Sequence, residues 1–69
     1  MPLTFAKAGE EKLIKKITGK DDTKRFLESL GFVVGGSVTV VSELGGNMII
    51  SVMNSRVALD KSMASRIVI

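Results

Sequence analysis

The chain has no cysteine, histidine, tryptophan or tyrosine, and a single proline. Each absence closes a line of chemistry. Without cysteine there is no disulfide, which favours a reducing, cytoplasmic compartment. Without cysteine and histidine the usual zinc sites are impossible, and any metal would need oxygen ligands. A nucleophile–histidine–acid triad is excluded on the same ground. The seven Asp and Glu residues are scattered and form no D-x-D-x-D-G loop. No phosphate-binding P-loop is present, because Gly19-Lys20 is followed by Asp21 and lacks the upstream glycine. The neighbouring carboxylates Glu10-Glu11 and Asp21-Asp22 point apart on a strand or turn and make poor acid–base pairs. The chain is therefore not expected to be an enzyme or to carry a cofactor. Long apolar runs are missing too. Nothing approaches the ~20 residues that cross a bilayer, and Met1-Pro2-Leu3-Thr4-Phe5 lacks the basic-then-apolar pattern of a signal peptide. Direct insertion into a membrane is not expected.

What is present is apolar and β-prone. The 69 residues form a single domain, residues 1–69, and a chain this short buries only about 60% of its unfolded surface. With no disulfide or zinc to help, the core must be rich in hydrocarbon, in line with a hydrophobic content of 45%. Val and Ile concentrate after residue 33, which favours strands.

Residues 3–9 form a lead-in segment closed by a turn at Gly9-Glu10. In Lys12–Thr18, Leu13, Ile14 and Ile17 fit helical spacing better than alternation. The segment is short, uncapped and stopped by Gly19. A strand with a bulge at Lys15-Lys16 would put Ile14 and Ile17 on one face, and we assign a strand. Asp21-Asp22-Thr23 offers N-cap oxygens and negative charge to a helix over Thr23–Leu30. Phe26, Leu27 and Leu30 share one face of that helix. Gly31 stands where a left-handed C′ residue is needed. Leu27 and Phe32 then become the C3 and C″ residues that touch in a Schellman motif.

After the Gly35-Gly36 turn, Ser37–Glu43, Met48–Met53 and Arg56–Leu59 read as strands. Gly45-Gly46-Asn47 separates the first two, and Asn54-Ser55 is the expected two-residue hairpin link to the third. Asp60 caps one helical turn, and Arg66–Ile69 closes the sheet. The fold class is mainly β: about five short strands in a small barrel, with one or two short helices.

A net charge of +3 is compatible with nucleic acid, an anionic membrane or an acidic partner. Lys12, Lys15 and Lys16 form a basic cluster. Single-strand binders need aromatic stacking platforms, and the aromatics here are three Phe, of which Phe26 and Phe32 have a packing role available. Nucleic acid is therefore not the expected partner, and a small basic RNA- or DNA-binding barrel is kept as the alternative. Phe32-Val33-Val34, Met48, Met53 and Met63 supply more apolar surface than so small a core obviously needs. That excess points to contact with another protein.

The order of these features resembles the FeoA family of bacterial ferrous iron transport. The family block R-[LF]-L-x-x-L-G-apolar-x-x-G-x-x-V is matched by Arg25, Phe26, Leu27, Leu30, Gly31, Phe32, Gly35 and Val38. A later block is matched by Arg56, Ala58, Leu59, Ala64, Ile67 and, one place late, Ile69. The resemblance implies an SH3-like barrel and an accessory role on the cytoplasmic side of FeoB, a GTP-dependent Fe(II) transporter. It implies work by protein contact, with Arg25, Phe26, Leu27, Leu30 and Phe32 nearest the partner, though each of the apolar four has a core role as an alternative. Similar domains are also fused to iron-dependent repressors, which leaves a regulatory domain as a further reading. One departure stands out: Leu44-Gly45-Gly46-Asn47 replaces a proline-containing loop of many relatives, implying a more flexible link.

Overall fold

The computed structural model describes residues 1–69. A 3-10 turn over Leu3–Phe5 opens the chain, followed by β1 (Glu11–Leu13), β2 (Lys16–Ile17) and helix α1 (Asp21–Ser29). Then come β3 (Ser37–Leu44), β4 (Asn47–Val52), β5 (Ser55–Asp60), the single-turn helix α2 (Lys61–Ala64) and β6 (Ile67–Val68). The strands form a four-stranded antiparallel sheet, in the order β1-β3-β4-β5, and a separate β2-β6 pair. This is the small, mainly β barrel with two short helices that the sequence implies.

There are six strands instead of about five because Lys12–Thr18 is not one bulged strand. The chain turns a corner at Ile14-Lys15 and changes sheets. The Ile14 N–H donates to Gly36 O (2.8 Å), whereas the next N–H, of Lys15, donates to Val68 O (2.8 Å). Ile14 and Ile17 both point inward, as expected, and the corner is what allows it. The true bulge lies in β3, where the pairing with β4 slips between Val40 and Ser42. The extra residue, Val41, bends the strand and increases its twist.

Alternation along the strands sets the core. Val38 and Val40 of β3, and Met48, Ile50 and Val52 of β4, point to one side. They meet Leu27 and Phe32 from the helix region, and Ala64, Ile67 and Ile69 from the end of the chain, in a core of 15 buried residues, all hydrophobic. No polar or charged residue is buried.

Two hairpins come out differently from expectation. The Gly45-Gly46 link is a two-residue turn, since Leu44 pairs with Asn47. The β4–β5 turn is Met53-Asn54, one residue earlier than the expected Asn54-Ser55, because Ser55 already pairs with Val52. Both turn residues have positive φ, 49° at Met53 and 63° at Asn54. That is the type I′ pattern whose twist matches a hairpin. Asn adopts it readily and methionine rarely does.

Candidate functional site

Helix α1 positions the residues singled out by the sequence. Its start differs from expectation. Lys20 occupies the N-cap, and no side chain caps the helix. Asp21 and Asp22 lie inside the first turn, where their negative charge still favours the positive end of the helix dipole. The exit is as expected. Gly31 has φ 104°. The Gly31 N–H donates to Glu28 O (2.9 Å) and the Phe32 N–H to Leu27 O (3.0 Å), the paired bonds of a Schellman motif. Leu27 and Phe32, the two residues that motif brings together, are both fully buried.

This geometry divides the five candidate residues. Arg25 lies on the surface. Phe26 leaves 48% of its surface in solvent. Leu30 is half-buried and packs on the core. Leu27 and Phe32 have no exposed surface, so in this conformation no partner can touch them. Their role is to hold the corner from within. Phe26 and Leu30, four residues apart, share a helical face. A residue outside the sequence-derived set joins them. A Cβ built on Gly31 would lie 3.2 Å from Met53 Cγ and Sδ, so the Met53 side chain rests on the helix exit while remaining 74% exposed. Only pairing register could reveal this, because it turns Met53 back over a glycine more than twenty residues earlier in the chain. Of the other apolar residues flagged by the sequence, Met48 is core, Met63 is partly buried, and Val33 and Val34 are exposed.

The basic cluster is also divided. Lys12 pairs with Glu10 across 3.6 Å. Lys15 shares one open cleft with Lys12, Met1, Leu13 and Ile69; together with Lys16 it also borders a second, of about 360 Å3, lined by Lys24, Glu28, Ile17, Val33 and Val34. No three of the residue types that bind metals come together anywhere on the chain. One carboxylate is perturbed. Glu10 accepts a hydrogen bond at Oε1 from the Lys7 main-chain N–H (2.7 Å). That bond, opposed by desolvation and helped by Lys12 and Lys7, holds its carboxyl below the usual range.

A barrel of this size, with a wholly hydrophobic core, six short strands and two short helices, has the SH3-like architecture. The FeoA domain model matches the chain over residues 1–69, and the chain belongs to the FeoA family. A "Putative Fe(2+) transport protein A" of Methanocaldococcus jannaschii is 35% identical over 68 residues, 99% of this chain and 83% of that one. The crystal structure of an iron uptake regulatory protein, FeoA, superposes with a TM-score of 0.88 at 30% identity, covering 96% of this chain and 88% of that one. The zinc complex of Stenotrophomonas maltophilia FeoA, described as a prokaryotic SH3 domain protein, gives 0.86 at 28% identity, covering 99% and 87%. The family is one of small accessory proteins associated with Fe(2+) transport, not of enzymes. No helix of the chain is long and apolar enough to cross a membrane.

Proposed function

We propose that this protein is an accessory and activating factor of ferrous iron transport that works by docking on the cytoplasmic part of a FeoB-type transporter. One observation carries the reading. On a helix whose inner face is sealed into the core, Phe26 is held half-exposed beside Arg25. Phe26 belongs neither to the buried core nor to the partly buried residues packed against it, and aromatic and arginine side chains are the usual anchors of protein interfaces. Leu30 and Met53 extend the same apolar corner. Leu27 and Phe32 support it without taking part in the contact. A cytoplasmic location follows from the side of the transporter on which its GTP-binding domain lies.

The test is calorimetry against the FeoB cytoplasmic domain, nucleotide-free and with GDP or a GTP analogue. Binding is expected in at least one state. Phe26→Gln is expected to abolish it while circular dichroism stays native. Loss of fold together with binding would make Phe26 a core residue. No heat in any state, with full-length transporter also inert, would remove the reading.

A further inference from the structure

The cleft beside β2 lies outside the helix-exit corner, and its features point to a ligand of different chemistry. Three of its lining residues are lysines: Lys15, Lys16 and Lys24. The ion pairs of the chain are Lys12–Glu10 and Lys61–Glu43, so none of the three is neutralised. Glu28, the one carboxylate in the lining, pairs with none of them. Val33 and Val34, 42% and 64% exposed, line the same cleft. The floor adds a third feature. β2 pairs only with β6, and the Thr18 N–H donates to Arg66 O (2.8 Å). Main-chain groups alternate in direction along a strand. The N–H and C=O of Ile17, opposite Ile67, therefore point away from β6, to the open edge of the pair.

We infer that this cleft receives an extended segment of a partner protein that carries carboxylates on either side of an aliphatic residue. The segment lies along the free edge of β2. Main-chain bonds at Ile17 hold it, the lysines meet its carboxylates, and Val33 and Val34 cover its aliphatic side chain. Other anionic occupants fit less well. Phe5 and Phe26 are the exposed aromatics and neither lines the cleft, so nucleic acid would find no stacking surface. A bilayer is flat and would not fill a concavity.

The probe is a blocked pentapeptide of alternating aspartate and leucine, titrated into the full chain at low salt and followed by amide NMR shifts. Saturable shifts are expected at Lys16, Ile17, Lys24, Val33 and Val34. The affinity should fall as salt rises. It should weaken at least about tenfold in the double variant Lys15→Glu, Lys16→Glu, as expected for reversing two contact charges. Both lysines are exposed, so the variant should fold; Val34→Asp, also at an exposed site, should weaken binding independently. Equal binding of a lysine–leucine peptide, unchanged affinity in the charge-reversed variant, or shifts confined to Phe26 and Met53 would each overturn the inference. So would co-sedimentation with phosphatidylglycerol vesicles combined with no response to the peptide, which would make the face a membrane surface. Loss of FeoB binding through Phe26→Gln, with peptide shifts intact, would keep the two surfaces distinct.

Discussion

At the exit of α1, adjacent residues lead opposite lives. Leu27 leaves nothing in solvent and Phe26 leaves 48%. A helix advances about 100° per residue, so neighbours in one family block can divide between holding the barrel together and facing outward. The inner pair, Leu27 and Phe32, is locked by the Schellman bonds around Gly31. The outer group, Arg25, Phe26 and Met53, is displayed by the same lock. One short block therefore holds both core residues and residues that stand in solvent, and substitution on each side separates their roles.

The sharpest way to break that division is from within. Phe32→Ala should cost about 3–5 kcal/mol and Leu27→Ala about 2–5 kcal/mol, read as a loss of urea midpoint. In a domain this small either change threatens the folded state itself. Gly31→Ala strikes the lock. A Cβ at φ 104° costs roughly 1–2 kcal/mol, and it must also displace Met53, 3.2 Å away. The same substitution should weaken partner binding, because it moves the outer group and the inner one together. Asp60→Ala, at the other helix, should cost about 1 kcal/mol through loss of the 2.8 Å bond from the Met63 N–H to Asp60 Oδ1. That change should leave the exit corner and its binding intact. Phe26→Gln should alter stability by about 1 kcal/mol or less while removing partner binding.

The smallest effect is a pH dependence at Glu10. The carboxyl of Glu10 is held below its usual value by the Lys7 N–H, so its contribution to stability is complete above the unfolded-state pKa. That contribution is lost as pH falls through the lowered folded-state value. The difference in urea midpoint between Glu10→Gln and the unsubstituted protein should be present at neutral pH and fade in acid. A difference that persists unchanged in acid would show that the hydrogen bond, and not the charge, matters.

Much of the helix exit is legible in the sequence. Gly31 three residues after Glu28, with Phe32 following, can end a helix in few other ways, and both bonds form as that spacing requires. The Asp60 cap is legible for the same reason, since its partner is only three residues on. The start of α1 is less so. Asp21, Asp22 and Thr23 could each cap or continue a helix, and main-chain geometry settles on Lys20. Lys12–Thr18 looks like one strand because periodicity reports which side chains are buried, not which sheet each residue joins. Met53 gives no local sign of its position over Gly31.

The amino-acid order by itself determined the apolar content of the core, the glycine stop of α1, the Asp60 cap and the lack of cysteine and histidine. These are short-range or compositional matters, settled by residue types and their spacing along the chain. The tertiary structure alone decided that Leu27 is sealed while Phe26 is displayed, that Met53 lies on the helix exit, and that Lys15, Lys16 and Lys24 share a cleft with two exposed valines. Each of these depends on the register and closure of strands distant in sequence, and a surface exists only once those strands have met.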